Sequence, residues 1–391
     1  MAIHILSKSV YIPGKDDTGV FPGFITYTHG HKPQMLHRFG WVDASDTYDN
    51  FHERTSEDNG KTWTEPVLKL KSEEVEGGRL RYVENSAFFD EDTNQLHTFV
   101  YRMVYPKDKI DTDAYRELVI QTYDPRTLER PKAQTFDFDC TQGIAISFCF
   151  PIKTSSGRIL LPAMQAQLDE NGKNIHHKDS ALIVYQARMV IGEYDDAGVI
   201  HWRLGEPIVS DQALSTRGFS ECSPVELLDG TIAALSRGSN YKRPDLPGCK
   251  WLSYSKDGGE TWSGAVPLKT DDGKIIQSSA TGCALFRSIK NGRVYFVGNL
   301  CADGKPADGN WPRAPLHIAE VQEESFAIKK DTITVIDKRE GNDTDKTQIS
   351  NFRYYQDRET GDVVVYATRF GENDAKLWKK ADHYEYRVAV E

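Results

Sequence analysis

Arginine and carboxylic acid residues recur at the ends of alternating apolar segments along the chain. Glu84 and Glu221 begin two of these segments, and Arg237 ends the segment that follows Glu221. Similar end positions are held by Arg38, Asn85, Arg102, Asn351 and Arg369. A guanidinium group binds a carboxylate through two parallel hydrogen bonds, and a pair of carboxylic acids can supply a general acid and a general base. The pattern predicts a polar pocket for an acidic ligand if the fold brings these segment ends together.

The apolar segments are arranged as six predicted β-hairpins. In each hairpin an alternating strand meets a second strand across a turn rich in Gly, Asp or Asn. The hairpins start at residues 21, 84, 147, 221, 281 and 350. The resulting period of about 65 residues leaves room for two more strands per unit, which is typical of β-propeller blades. We predict an all-β, six-bladed β-propeller that forms a single domain over residues 1–391, with a seventh blade left open.

A β-propeller would also bring the charged segment ends close together. The innermost strand of each blade begins, and the second strand ends, on the same face near the central axis. Polar residues at these positions therefore converge on one central pocket, which is a frequent place for ligands in radial folds.

Two further segments match each other closely. Ser56–Trp63 and Ser255–Trp262 both fit the pattern Ser-x-Asp-x-Gly-x-Thr-Trp. Asp58 and Asp257 can accept hydrogen bonds from N–H groups of a turn, and the glycine two residues later permits a positive φ. We predict that both segments are hairpin turns with an architectural role, outside the substrate site.

Composition narrows the class of protein. There are 48 Lys and Arg residues against 58 Asp and Glu residues, so the net charge is −10, which argues against nucleic acid as a partner. No apolar run approaches the ~20 residues of a membrane-spanning helix, so no membrane partner is expected.

Metal binding and compartment stay open. The six cysteines do not have the spacing of a zinc site, and no pattern of ligands in the sequence specifies a Ca²⁺ or Zn²⁺ ion, so a cofactor of either kind is left open. No signal peptide is visible, which leaves cytoplasm and export open, and the oligomeric state is equally open.

The two Asp-box (BNR) repeats and the hairpin from Glu221 to Arg237 resemble the sialidase (neuraminidase) superfamily of six-bladed propellers. This resemblance implies that Glu221 corresponds to the glutamate that activates the family's tyrosine nucleophile. It implies that Arg237 and Arg313 are the second and third arginines that bind the substrate carboxylate. It also implies that Asp43 or Asp46 is the acid/base aspartate.

The sequence departs from that family at two functional positions. Neither Tyr11–Pro13 nor Phe21–Gly23 contains a counterpart of the first arginine, and Thr347–Asn351 contains no tyrosine. We therefore expect a divergent member that does not transfer a sialosyl group through a tyrosyl intermediate.

The favoured hypothesis is a carbohydrate-active enzyme, an exo-acting glycoside hydrolase that cleaves an acidic oligosaccharide or polysaccharide. Its general acid and base are expected among Asp46 or Asp43, Glu84 and Glu221. The expected binding residues are Arg237, Arg313, Arg38, Arg102, Asn85, Tyr241, Asn351 and Arg369.

Two alternatives stay open at this stage. One is a polysaccharide lyase that cleaves at a uronate, for example a rhamnosyl-glucuronate, by β-elimination, with an acid and a base from His or Tyr. The available residues are His37, Tyr82, His97, Tyr101 and Tyr241. The other is a propeller that binds glycans without catalysis.

Overall fold

The computed structural model describes residues 2–110, 114–127, 129, 134–141, 143–179, 182–301, 303–374 and 376–391. Six small sheets stand in a ring and form a six-bladed β-propeller, as predicted. In the described ranges, no helix is long and apolar enough to cross a membrane.

The first three blades follow one another along the chain after strand β1 (Ile3–Ile12). The first blade contains β2 (Gly19–Tyr27), β3 (Met35–Val42), β4 (Tyr48–Ser56) and β5 (Val67–Leu70). The second contains β6 (Glu73–Val75), β7 (Gly78–Asp90), β8 (Gln95–Tyr105) and β9 (Arg116–Tyr123), with a 3₁₀ turn at Pro106–Asp108. The third contains β10 (Thr135–Phe136), β11 (Ile152–Lys153), β12 (Ile159–Ala166), β13 (Tyr185–Tyr194) and β14 (Ile200–Leu204).

The last three blades complete the ring. The fourth contains β15 (Ser220–Glu226), β16 (Ile232–Arg237), β17 (Lys250–Ser255) and β18 (Val266–Pro267). The fifth contains β19 (Lys269–Thr270), β20 (Cys283–Arg287), β21 (Val294–Gly298), β22 (Leu316–Gln322), β23 (Ala327–Ile328) and β24 (Thr334–Asp337), with a 3₁₀ turn at Lys330–Thr332. The sixth contains β25 (Phe352–Gln356), β26 (Val363–Thr368) and β27 (His383–Val390), and β1 pairs with β27 as its fourth strand.

All six predicted hairpins are present, and the apolar side chains that gave their pattern form the core. The pairs are β2–β3, β7–β8, β11–β12, β15–β16, β20–β21 and β25–β26. Ile232–Ser236 on β16 is buried throughout because this strand has a blade on each side. One apolar cluster joins Phe51 of the first blade, Phe99 of the second and Trp202 of the third. Packing between neighbouring blades therefore holds the ring together.

Both Asp-box turns adopt the predicted conformation. The backbone N–H of Thr62 donates to Asp58 at 2.8 Å, and that of Thr261 donates to Asp257 at 3.0 Å. The expected glycines, at positions 60 and 259, have φ values of 78° and 96°. These turns lie outside the cavity described below, in agreement with an architectural role.

Candidate active site

A cavity of about 330 Å³ opens where the six blades meet. Every blade contributes to its wall, so it lies at the centre of the ring. Among the described residues, its charged lining consists of five arginines and three carboxylic acids: Arg116, Arg217, Arg237, Arg313, Arg353, Asp46, Glu84 and Glu221. Three tyrosines, Tyr48, Tyr101 and Tyr185, and the asparagines Asn310 and Asn351 also line it.

Glu221 is surrounded by positive charge. Arg237 Nη1 donates to Glu221 Oε1 at 2.5 Å, and the Ser147 hydroxyl donates to the same oxygen at 3.3 Å. Burial by itself would raise the pKa of Glu221, but Arg237, Arg217 and Arg313 together lower this pKa below its ordinary value. Glu221 is therefore ionised at neutral pH.

A distortion of the innermost strand of the fourth blade turns Glu221 towards the cavity. The register of the pairing between β15 and β16 shifts between Ser220 and Ser223, as in a β-bulge. Glu221 lies at this register shift and has a φ of 42°, a conformation that costs free energy for a residue with a side chain. Asp46 and Phe148, which also line the cavity, have φ values of 56° and 50°. Strained backbone thus surrounds the candidate site on several sides.

Arg217 and Arg313 lie beside this carboxylate with few other partners. Burial lowers the pKa of both guanidinium groups, to about 10 for Arg313, and the nearby charge of Arg237 lowers it further. Arg313 Nη1 donates to the Gln348 side chain at 3.3 Å. Among the described residues, the buried Nε of Arg217 has no hydrogen-bond acceptor. Both side chains are therefore available to an anionic ligand.

The loop before β15 holds Arg217 in place. The backbone N–H of Phe219 donates to the carbonyl of Tyr185 at 2.9 Å, and the N–H of Tyr185 donates to the carbonyl of Arg217 at 2.9 Å. Gly218, between them, has a φ of 65°, and a Cβ atom at this position would meet the Tyr185 carbonyl oxygen at 1.9 Å. Only glycine fits this close approach.

Glu84 and Arg353 form a buried ion pair at the cavity wall. Arg353 Nη2 donates to Glu84 Oε2 at 2.8 Å, and Arg353 Nε donates to the carbonyl of Gly23 at 2.8 Å. Burial raises the pKa of Glu84 to about 7, although Arg353 opposes the shift. The pair connects the first, second and sixth blades at the level of the cavity.

Asp46 lies on the loop between β3 and β4, at the more exposed side of the cavity. Its carboxylate accepts a hydrogen bond from the Ser45 hydroxyl at 2.8 Å, and its backbone carbonyl accepts one from Tyr105 at 2.5 Å. The ion pairs of the described residues do not include Asp46. Its carboxylate can therefore contact a molecule bound in the cavity.

Six of the twelve site residues expected from the sequence line this cavity: Glu221, Asp46, Glu84, Arg237, Arg313 and Asn351. The structure places the other six elsewhere, and each has a physical reason. Asp43 is exposed and accepts a hydrogen bond from Thr47, and Tyr241 is 40% exposed beside Gly309. Asn85 is buried next to Gly23 instead of facing the cavity.

The remaining three arginines are held by carboxylates outside the cavity. Arg38 donates to Glu53, and Arg102 donates to Glu117, each through two nitrogens. Arg369 is 1% exposed and bonds to Asp337, Asp343 and Glu372. These arginines stabilise the blades.

Sequence reasoning missed Arg217, Arg116, Arg353, Tyr48 and Tyr185 as cavity residues. Arg217 lies in a loop, outside every periodic segment, so strand patterns gave no signal for it. Of the residues named for an elimination reaction, Tyr101 lines the cavity, whereas His37 and His97 are buried away from it. In the part of the chain that the structure describes, no three His, Cys, Asp or Glu side chains are arranged to hold a metal ion.

Several solved structures share this fold. A protein of unknown function from Dyadobacter fermentans aligns over 100% of both chains, with a TM-score of 0.64 and 14% identity. A sialidase from Streptococcus pneumoniae aligns over 97% of this chain and 70% of its own, with a TM-score of 0.59 and 14% identity. An α-L-arabinanase from Penicillium chrysogenum aligns over 99% and 98%, with a TM-score of 0.56 and 12% identity. At these identities the alignments define the fold class, a sialidase-like β-propeller.

The model of the BNR repeat-like domain matches residues 52–342, which is more than half of the chain. The chain therefore belongs to the BNR repeat-like family. Comparison with the curated proteins found no match. The prediction of a divergent Asp-box propeller of the sialidase type is confirmed.

Proposed function

We propose that this protein is a glycoside hydrolase that removes a carboxylate-bearing sugar from a glycan. The observation that carries the proposal is the cluster of Arg217, Arg237 and Arg313 around Glu221 in the central cavity. The sialidase and the arabinanase of the same fold act on carbohydrates, which supports a carbohydrate as the substrate.

The arginine cluster is suited to hold a carboxylate. Charge-assisted hydrogen bonds from guanidinium groups are worth about 1.5–3 kcal/mol each, and they also fix the orientation of a planar anion. Arg217 and Arg313 have few acceptors of their own among the described residues. A substrate carboxylate would supply those acceptors and offset the cost of burying the two guanidinium groups.

Asp46 and Glu221 are suited to the two proton transfers of glycoside hydrolysis. Asp46 would donate a proton to the leaving glycosidic oxygen as the bond to the anomeric carbon breaks. Glu221, ionised in its arginine cluster, would take a proton from the attacking water or attack the anomeric carbon itself. A carboxyl separation of ~6.5–9.5 Å favours inversion of configuration, and ~5–5.5 Å favours retention.

Glu84 is less suited to donate a proton, although its pKa of about 7 would permit it. It accepts a hydrogen bond from Arg353, and the backbone N–H of Phe148 also stabilises its ionised form. Both contacts favour the carboxylate over the acid. We assign Glu84 a positioning role, in which it holds Arg353 at the cavity wall.

One observation favours β-elimination as a second candidate reaction. Burial raises the pKa of Tyr185 above its ordinary value, and the nearby charges of Arg217, Arg116 and Arg237 oppose this shift. When these arginines neutralise a uronate carboxylate, the ionised form of Tyr185 could remove the C5 proton as the C4–O bond breaks, and the leaving oxygen would take a proton from water. This reaction would use the same binding site with a different base.

The two reactions are separated by their products. The protein is incubated with a panel of uronate-containing and sialylated oligosaccharides, and the product masses are measured. Hydrolysis adds one water across the broken bond, whereas elimination adds none and gives an unsaturated uronate that absorbs in the ultraviolet. Failure to cleave any acidic glycan, while a neutral glycan is cleaved, would overturn the proposal.

Variants show whether the arginine cluster is responsible. Arg217→Met and Arg237→Met should each lower kcat/KM by about 10- to 100-fold, as expected for the loss of one charged hydrogen bond. Arg102→Met is the matched control, because Arg102 is bound to Glu117 outside the cavity. Activity equal to that of the control in both cluster variants contradicts the assignment.

A further inference from the structure

The cavity carries more positive charge than one carboxylate can neutralise. Among the residues that the structure describes, five guanidinium groups and three carboxyl groups line it, an excess of two positive charges in a chain whose net charge is −10. Two of the carboxyls are already engaged, Glu221 with Arg237 and Glu84 with Arg353. Uncompensated charge in a partly buried site costs free energy, and anionic groups of a ligand would reduce this cost.

The unpaired arginines do not all lie at one place. Among the described residues, Arg116, Arg217 and Arg313 have no carboxylate within ion-pair distance. Arg313 follows β21 in the fifth blade, and Arg217 lies just before the fourth. Arg116 is on β9, the outer strand of the second blade, and Tyr185 of the third blade lies near both Arg116 and Arg217. The positive charge therefore extends as an arc around the cavity from the second blade to the fifth.

One carboxylate cannot satisfy this whole arc. Its two oxygens offer about four lone-pair sites, and Arg217, Arg237 and Arg313 together supply more donors than that. Arg116, which lies in a different blade from these three, has no carboxylate partner among the described residues. Its guanidinium lies beside Gly143, where a Cβ atom would be 3.7 Å away, so no side chain of residue 143 covers it.

We propose that the substrate of this site is dianionic, with one carboxylate in the Arg217, Arg237 and Arg313 cluster and a second anionic group bound by Arg116. The second group is a sulfate ester on the sugar or the carboxylate of a neighbouring uronate. The hydroxyls of Tyr101 and Tyr185, on the cavity wall beside Arg116, can donate further hydrogen bonds to it. This inference rests on the proposed function, because it concerns the same cavity.

Binding measurements test the proposal without depending on turnover. Three probes are titrated into the protein by calorimetry at low ionic strength: methyl glucuronide, a sulfate ester of methyl glucuronide, and a disaccharide of two uronates. At least one dianionic probe should bind about tenfold or more tightly than methyl glucuronide, as expected for one additional charged contact. The probe that binds more tightly identifies the second group as sulfate or carboxylate.

Variants assign the preference to Arg116. Arg116→Met should abolish the preference for the dianion, and it should lower the affinity for methyl glucuronide far less than the affinity for the dianionic probe. Arg116→Lys, which keeps the charge, should retain part of the preference, and Arg102→Met on the adjacent strand should retain all of it. Equal affinity for the three probes in the wild type, or a full preference in Arg116→Met, overturns the inference. Failure of the proposed function has a different signature: no acidic probe binds, or Arg237→Met binds methyl glucuronide as well as the wild type does.

Discussion

Arg237 lies directly opposite Lys250 in the pairing of β16 with β17. The arginines at the corresponding ends of two other blades face acids instead: Arg38 lies opposite Glu53, and Arg102 lies opposite Glu117. An arginine that faces an acid on the third strand binds that acid and stays within its blade. Arg237 faces a like charge, so its guanidinium turns inward to Glu221. At these three strand ends, the residue opposite on the third strand thus distinguishes the arginine that reaches the cavity from the two that do not.

Lys250 itself is expected to make stability depend on pH. It is 0% exposed, and its ammonium donates to the carbonyls of Ser279 and Thr281 at 2.8 and 2.6 Å. Burial lowers its pKa from 10.5 to about 8. Between pH 8 and 10.5 the unfolded chain binds more protons than the folded one, so unfolding free energy rises with pH, by roughly 3 kcal/mol in total.

Chemical denaturation of the wild type and of Lys250→Met at several pH values measures this effect. The variant should lack the rise above pH 8 and should have lower substrate affinity, because Thr281 lines the cavity. Lys256→Met, on the exposed turn of the same blade, is the control and should behave as the wild type. The prediction is contradicted if the unfolding free energies of the wild type and of Lys250→Met change with pH in the same way.

Glu84 should produce a pH dependence of the opposite sign. Burial raises its pKa from 4.5 to about 7, so between these values the folded state binds more protons than the unfolded one. Unfolding free energy should therefore fall as pH rises from 4.5 to 7, by up to roughly 3 kcal/mol. Glu84→Gln removes this contribution. Denaturant titrations of the two proteins at pH 4.5, 6 and 7 measure the unfolding free energy. If this free energy falls with pH in the variant as steeply as in the wild type, the assignment to Glu84 is wrong.

Asp46→Asn should slow the chemical step specifically. Loss of a general acid lowers kcat by about 10²–10⁴-fold and leaves KM nearly unchanged. A glycoside with a good leaving group needs little protonation, so it should recover much of the rate. Asp43→Asn is the matched control on the same loop, since Asp43 lies outside the cavity lining. Equal losses on good and poor leaving groups would show that Asp46 has another role.

Arg369 should matter for stability and not for binding. Arg369→Met leaves the buried carboxylates of Asp337, Asp343 and Glu372 without their shared cation, which should cost about 3–5 kcal/mol of unfolding free energy. Thermal melting measures the loss, and KM should not change at a temperature where the variant is folded. Arg126→Met, which removes an exposed pair with Asp124, is the control and should keep the melting temperature. A raised KM for Arg369→Met would indicate that Arg369 contributes to substrate binding.

The sequence predicted the hairpins well because their signals are local. Alternation and turn residues locate β15 and β16 to within two residues, and both Asp-box turns form as expected. The third hairpin is less regular than its pattern suggested. Its first strand shrinks to Ile152–Lys153, because Phe148 adopts a positive φ where its segment forms part of the cavity wall.

The site was harder to predict because it depends on contacts between strands and between blades. Glu221 and Arg237 could be found from their positions at the ends of one hairpin. The inward turn of Arg237 and the outward pairing of Arg38 and Arg102 depend on the register of the third strand, which apolar alternation does not reveal. Arg217 depends on the backbone approach at Gly218, a feature of tertiary structure.

The pairing of β1 with β27 makes the sixth blade a seam between the two ends of the chain. Arg353 belongs to that blade, and its partner Glu84 belongs to the second. An open seam would separate the sixth blade from the first, which Arg353 contacts through the carbonyl of Gly23, and so would disturb the position of Arg353 at the cavity wall. Ligand affinity should therefore depend on whether β1 has paired with β27. Closure of the ring and ligand binding are thereby linked.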